Sequence, residues 1–452
     1  MKKNQLYSGA TPAEVAKDLE SLLDFQAEGV PLEQLKTMLD EKLVPHLLQY
    51  GTPNFQSMFN AFPTSESRLG GEMMLDFNQG VTNWQVSPGG AMLETLACKK
   101  LCQLFGLDDS ADATFMYSGT YANQQAIYMA LHHFAEKKYR FDLGEQGLSH
   151  FPDLSQLVIL VSADAHFSMR HAVRMLGLGE KGLVKLPVDS NRRIDAHASA
   201  KLVEKLRLER EIVAIVGTSG TTSTGSIDPL DALADLAEET KAWYHIDGAY
   251  GYAYKLVDEW ADRFNGDTRA DSITWDAHKQ LQAPVPNSML FVRNGLDFGR
   301  MSLYSGYFNR KEDEEPNPGV KSPPTTRPMS VLPLVTILRG QGLDRIKADL
   351  KVPLQAIKDL YHYLLEQPDF EPVHEPDTGI LCFLYRPEGM KDGVLLDQLQ
   401  RQVYDSIMGS GRRSISMTRL DGKPYLRLVS VAPIVRYADF LETIEQIRSV
   451  TF

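Results

Sequence analysis

Lys279 stands just beyond an apolar run, Asp271–Trp275, in the stretch Asp276-Ala277-His278-Lys279. The run reads as a buried strand, and open α/β sheets receive ligands at the carboxyl ends of parallel strands. An amine held there can capture a carbonyl carbon as a Schiff base. Asp247 closes a second apolar run, Trp243-Tyr244-His245-Ile246, and precedes Gly248-Ala249-Tyr250. A carboxylate at a buried strand end is costly unless paired, and a protonated ring nitrogen is a suitable partner. Ser118-Gly119-Thr120 follows the β-like run Thr114–Tyr117 and opens a helical stretch. Strand, small-residue turn and helix together aim free amides and a positive dipole end at a phosphate. Ala165-His166 follows the run Leu157–Val161, where an imidazole can stack on a flat ring. Each feature alone has a plainer reading: a solvated lysine, an Asp bonding turn amides, an ordinary strand–helix turn, a structural histidine. Together they supply what a flat, phosphorylated carbonyl cofactor requires, and pyridoxal phosphate answers that description.

Order and spacing carry more than the single residues. SGTYAN, ADAHFS, TSGTTSTGSIDPL, HIDGAYG and DSITWDAHK follow one another along the chain. In this arrangement the sequence resembles the group II pyridoxal-phosphate decarboxylases, from about Thr52 to the C-terminus. That family includes glutamate, aromatic amino acid, cysteine sulfinate and diaminobutyrate decarboxylases. The resemblance implies a fold-type I, aspartate-aminotransferase-like α/β architecture and a homodimer with active sites at the interface. It implies that Lys279 is the Schiff-base lysine and Asp247 the partner of the ring nitrogen. His166 would stack on the ring and help position the substrate. Gly119, Thr120, Asp276 and His278 match phosphate-side positions, Ala249 would pack under the ring, and Thr222 would lie near it. Arg427, in YLRLV, matches an arginine near the substrate, with an ordinary surface arginine as the competing reading. Trp84 belongs to a segment, Phe77 to Pro88, expected to line the entrance. Two positions depart from the family: Asp276 stands where several members have Asn, and Thr52-Pro53 replaces a His-Pro pair.

The implied activity is decarboxylation of an L-amino acid to an amine and CO₂. Tyr307, in Ser305-Gly306-Tyr307-Phe308, matches a loop tyrosine that protonates the α-carbon after CO₂ leaves, with Tyr304 as a rival. Related enzymes that lack this tyrosine tend toward oxidative, aldehyde-forming chemistry. The alternatives are a carbon–carbon lyase or an aldehyde-forming oxidase on the same fold, or a cofactor-free regulatory homologue. Cues such as DAHKQLQAP lean toward diaminobutyrate, whereas FPTSES looks more like the aromatic amino acid enzymes. The substrate stays open.

The elements that must position these groups are legible in outline. Strand candidates are Leu157–Val161, Leu183–Val188, Ile212–Gly217, Trp243–Asp247, Asp271–Trp275 and Ser288–Val292. Several are continuous apolar runs, as expected where both faces are covered by helices. Helical patterns such as Tyr121–Lys138 and Leu230–Lys241 lie between them, the mark of a mostly parallel sheet. The expected organisation is an N-terminal helical arm over 1–75, a large cofactor-binding domain over 76–325 and a small C-terminal α+β domain over 326–452. Thr11-Pro12-Ala13-Glu14 opens the first helix of the arm with an N-cap, and Lys311–Asn317 reads as a polar loop.

Composition sets the outer bounds. The chain has 452 residues, 43% hydrophobic and 23% charged, with a formal net charge of −12. No basic run stands out, which argues against nucleic-acid and membrane-surface partners. No apolar run approaches the roughly 20 residues a spanning helix needs. The opening MKKNQLYSGATPAEV lacks the apolar stretch of a secretory signal. Three cysteines give no disulfide framework, and Cys98 and Cys102 read as buried helix residues rather than metal ligands. No metal and a cytoplasmic setting are expected.

Overall fold

The computed structural model describes residues 5–304, 310, 315–390 and 392–450. The chain divides into two compact units, residues 63–351 and residues 1–62 together with 352–452. The boundaries expected near 75 and 325 both fall inside the larger unit. The helix Ser65–Phe77 lies in the larger unit, where the Ser67 hydroxyl donates to the Gln282 carbonyl at 3.1 Å.

The larger unit carries seven strands: β1 (Asp112–Met116), β2 (Leu157–Ser162), β3 (Leu183–Leu186), β4 (Glu211–Thr218), β5 (Trp243–Asp247), β6 (Ser272–Asp276) and β7 (Ser288–Val292). Their order is β1-β7-β6-β5-β4-β2-β3. From β3 across to β6 every pairing is parallel, and β7 runs antiparallel to both of its neighbours. The continuous apolar runs are buried along their whole length in β2, β5, β6 and β7. β3 stops two residues earlier than expected because Pro187 follows Leu186 and has no N–H for the ladder. The direction of β7 follows from its connection. Residues 277–287 are too few for the crossover helix that a parallel return needs, so the chain turns back directly.

The helix Gly119–Phe134 packs on this sheet through Ala122, Ala126, Ile127, Met129 and Ala130, all fully buried. Alanine at three of these positions lets the helix approach the strands closely. It starts at Gly119, two residues before the expected Tyr121, because the Ser118 hydroxyl caps it by accepting from the Tyr121 amide. From Ala135 to Tyr139 the helix widens into a π-type turn, ended by Arg140 in the left-handed region at φ 62°.

The smaller unit holds an antiparallel sheet of β8 (Phe370–Pro372), β9 (Ile380–Tyr385), β10 (Ser416–Leu420) and β11 (Lys423–Val429), in the order β10-β11-β9-β8. Phe383, Leu426 and Leu428 pack with Val403, Phe440 and Ile444 from the helices Gly393–Gly409 and Tyr437–Arg448. This is the α+β arrangement expected of the C-terminal region. The N-terminal segment belongs to it as well: the Leu6 amide donates to the Gly411 carbonyl at 2.8 Å. Thr11 and Glu14 form the capping box of the helix Pro12–Glu20.

Cys98 and Cys102 lie buried on the helix Pro88–Leu104, and burial pushes the Cys102 thiol up to about 12. Among the described residues, no cluster of His, Cys, Asp and Glu is arranged to hold a metal ion, and no helix is long and apolar enough to cross a membrane.

Candidate active site

Parallel register brings the ends of β4, β5 and β6 to one edge of the sheet. Thr218 pairs with Asp247, and Asp247 with Thr274, so a residue just past any of these strands faces the same space. One cavity opens there. Lys279, Asp247, His166, Gly119, Thr120, Thr222, Ala249, Asp276 and His278 all line it, although they are drawn from five separate stretches of chain. Asn123, Thr218 and Tyr250 line it too, and sequence reasoning passed over them. Asn123 carried a readable signal, since it lies one helical turn after Gly119 in SGTYAN and so shares its face.

Two of the motifs are locked together by backbone contact. A Cβ on Gly251 of HIDGAYG would lie 2.1 Å from the Ser219 carbonyl oxygen, so only glycine fits where this turn meets the TSGTT loop. Asp228 ties down the other end of that loop by accepting from the Thr218 and Ile194 amides, both at 2.8 Å. Burial holds its carboxyl up at about 7.

Asp247 is 6% exposed and accepts from the Asn123 amide nitrogen at 2.9 Å and the Ala249 backbone amide at 3.2 Å. Both donors are neutral, and among the described residues Asp247 has no ion pair. A buried carboxylate in that state is suited to a cationic ligand. His166 accepts the Ser168 amide on Nδ1 at 3.2 Å, which leaves the proton of the neutral ring on Nε2. Burial lowers its pKa, and Asp247 only partly opposes that shift.

Lys279 Nζ lies 3.1 Å from Asp276 Oδ2. Asp276 is 4% exposed, and its Oδ1 is buried with no hydrogen-bond partner among the described residues. Both carboxylate oxygens stand 3.0 Å from where a Cβ on Gly119 would sit, so the group faces the N-terminus of the helix Gly119–Phe134. His278 lies beside it, with Nε2 3.7 Å from Asp276 Oδ2, and burial lowers the pKa of this imidazole as well. These features fit pyridoxal phosphate: an amine for its aldehyde, a neutral-donor carboxylate for its ring nitrogen and an open helix N-terminus for its phosphate. The fit is closest at Asp247 and least simple at Asp276. A carboxylate where an amide would serve requires a proton or a cation beside a bound phosphate.

Three further residues are expected at the site from the sequence. Arg427 is in the smaller unit, only 5% exposed, with Nε donating to Ser416 Oγ at 2.8 Å and the guanidinium over the Phe59 ring at 5.4 Å. Burial overturns its reading as a surface arginine. Trp84 is 39% exposed and does not line the Lys279 cavity. Tyr307 lies outside the described residues. A far larger cavity, about 1320 Å³, opens beyond the end of β1 between Tyr121, Tyr128, Arg300 and Pro323. Among the described residues it shares no lining residue with the Lys279 cavity, and no amine and buried carboxylate converge on it as they do there, so size is not the guide to the chemistry.

Fold and site together define a fold-type I pyridoxal-phosphate enzyme. The family model described as "Pyridoxal-dependent decarboxylase conserved domain" matches residues 16–386. The chain is 24% identical to the L-2,4-diaminobutyrate decarboxylase of Acinetobacter baumannii over 447 residues, covering 96% of this chain and 86% of that protein. It is 27% identical to the enzyme of the same name from Rhizobium meliloti strain 1021 over 443 residues, 95% of this chain and 84% of that one. In fold it is similar to the crystal structure of the glutamate decarboxylase domain of the diaminobutyrate-pyruvate transaminase and L-2,4-diaminobutyrate decarboxylase from Vibrio parahaemolyticus. There the TM-score is 0.88 at 24% identity, over 99% of this chain and 90% of that one. The chain belongs to the pyridoxal-dependent decarboxylase family, and its activity is pyridoxal-phosphate-dependent decarboxylation of an amino acid.

Beneath the site lies His245, fully buried, two residues before Asp247 on the same face of β5. Burial pushes its pKa down from 6.5 to about 4. The folded protein therefore keeps this ring neutral where the unfolded chain takes up a proton. Its stability contribution is complete above pH 6.5 and is lost as pH falls toward 4. The expected loss is on the order of 3 kcal/mol. Denaturant midpoints across that window should fall more steeply for the wild type than for His245→Gln, and parallel slopes would remove His245 as the cause.

Proposed function

We propose that Lys279 anchors the cofactor covalently, that Asp247 pairs with its ring nitrogen, and that the chain acts on a small L-amino acid with a polar side chain, L-2,4-diaminobutyrate foremost. The single observation that carries the assignment of roles is the convergence of Lys279 and the buried, neutral-donor Asp247 on one cavity. The substrate reading is supported by two relatives of that name, each aligned over nearly the whole chain, and by the DAHKQLQAP stretch.

When bound, pyridoxal phosphate supplies an aldehyde for the substrate amine and a ring that accepts the electrons released as CO₂ departs. Asp247 keeps a negative charge at the far edge of the ring, where positive charge on nitrogen is needed throughout the reaction. His166, neutral and with a proton on Nε2, offers a flat face and one hydrogen-bond donor. Ser118, Gly119 and Thr120 present the helix N-terminus to the phosphate, and Thr222 and Ala249 complete the walls. Asp276 and His278 serve the phosphate side. Tyr307 donates the proton that the α-carbon takes up, and Arg427 and Trp84 serve the substrate. A homodimer in a cytoplasmic setting completes the reading.

The test is CO₂ release from a panel of diaminobutyrate, glutamate, aspartate, tyrosine, tryptophan and cysteine sulfinate, with the organic product identified. Amine and CO₂ from diaminobutyrate at the highest kcat/KM is the expected result. Release from another member alone would move the substrate, and aldehyde in place of amine would overturn the role given to Tyr307.

A further inference from the structure

The edge carboxylate and the imidazole of the site stand on different elements, Asp247 at the end of β5 and His166 in the turn after β2. One side chain joins them. Asn123 is 1% exposed, and its amide nitrogen donates both to Asp247 Oδ2 and to Ser168 Oγ, each at 2.9 Å. Ser168 in turn donates its backbone amide to His166 Nδ1 at 3.2 Å. The two N–H bonds of a single amide therefore reach the edge carboxylate directly and the His166 turn through Ser168.

A side-chain amide can be turned over, which would aim its oxygen at Asp247 and set acceptor against acceptor. Here its direction follows from the groups behind it. The Trp243 indole only donates, and it donates to Ser272 Oγ at 2.8 Å. That occupies one of the two acceptor sites of Ser272, and its hydroxyl proton can then serve His245 Nδ1, also at 2.8 Å. The proton of the neutral His245 ring is then on Nε2, which lies 3.0 Å from Asn123 Oδ1. In that arrangement the oxygen accepts from His245 and the nitrogen faces Asp247, a carboxylate that can only accept. Ser272 and His245 can make this contact because they are register partners on adjacent strands. Every member from Trp243 to Asn123 is at most 3% exposed, so the chain of bonds is shielded from bulk water.

We propose that Asn123 is a positioning residue, holding Asp247 and the His166 turn in one register for the cofactor, with its own orientation imposed by His245. The inference rests on the roles proposed above for Asp247 and His166. Replacing Asn123 leaves both the carboxylate and the Ser168 hydroxyl short of a donor, and freeing His245 lets the amide turn.

The measurement is pyridoxal phosphate binding to the purified full chain, by fluorescence quenching and by the visible band of the bound cofactor across pH. Asn123→Ala is expected to weaken binding by about 10- to 100-fold and to shift the pH midpoint of the band, the loss of one hydrogen bond to a charged group. His245→Leu should behave alike. His245→Gln, which keeps a donor near Asn123 Oδ1, should stay within about 3-fold of wild type, since the donor is retained. In an Asp247→Ala background, Asn123→Ala should lose most of its effect, because coupled positions do not add. Wild-type affinity and an unshifted band in Asn123→Ala, or its full effect in the Asp247→Ala background, would overturn the proposal. If Asn123→Ala does not fold, the His245→Leu and His245→Gln pair decides, and equal behaviour of those two counts against it. Absence of binding by the wild type would instead overturn the reading of the site.

Discussion

Lys279→Ala is expected to abolish the visible band of covalently bound cofactor and to reduce CO₂ release by on the order of 10³-fold or more, the scale of losing a positioned amine that handles both bonds and protons. The substitution has a second consequence, set by the structure of the site. Lys279 Nζ is the cation 3.1 Å from Asp276 Oδ2, and Asp276 Oδ1 is already buried without a partner among the described residues. Removing the ammonium strands a carboxylate that is 4% exposed, at a cost of about 1–3 kcal/mol. Stability and chemistry can be separated. Lys279→Arg retains a cation and should lose the band while keeping most of the stability. Lys279→Ala combined with Asp276→Asn should recover stability without recovering activity. Denaturant melts of the cofactor-free protein and absorption spectra of the loaded protein read the two effects independently. Residual wild-type absorption in Lys279→Ala would remove Lys279 from its assigned role.

Asp247→Asn is the second large effect. Among the described residues the carboxylate has only neutral donors, Asn123 and the Ala249 amide, and it is 6% exposed, so it is suited to a positive charge brought by a ligand. An amide of the same shape cannot stabilise a protonated ring nitrogen. The rate should fall by about 10²- to 10³-fold, as when one preorganised electrostatic group is removed from an active site. The same change exchanges a buried charge for a neutral group, so the cofactor-free protein should melt no lower than wild type while the rate falls. Single-turnover CO₂ release at saturating cofactor gives the rate, and thermal melts of the cofactor-free protein give the stability. A rate within about 3-fold of wild type would show that Asp247 does not face the ring nitrogen, given the magnitude expected of such a group.

Both predictions rest on residues that were visible in the sequence, because each ends an apolar run whose burial is a local property. Trp243–Asp247 and Ser288–Val292 match observed strands residue for residue, and the other strand candidates of the large sheet differ only at their ends. Continuous apolar runs of five or six residues have few other places to go than the middle of a covered sheet. The same logic made the five motifs legible as successive strand ends, and with them nine of the fourteen residues that line the Lys279 cavity.

What sequence did not show depends on which distant groups meet. The withdrawal of Arg427 into the smaller unit's core and the grouping of residues 1–62 with the C-terminal region both follow from contacts across the chain. The sharpest case is Asn123. Its neighbours in sequence mark it as a helix residue near a turn, and nothing local says that its amide joins β5 to the turn after β2. That role exists only once the parallel register sets His245 beside Ser272 and the packed helix brings Asn123 within 3.0 Å of the imidazole. Residue types and spacing thus determined the fold class, the cofactor and the ends of the strands where it binds, since burial periodicity and strand-end chemistry are short-range. The tertiary structure alone decided how Asp247 and His166 are aimed, because hydrogen-bond direction is set by partners more than a hundred residues away in the case of Asn123 and His245.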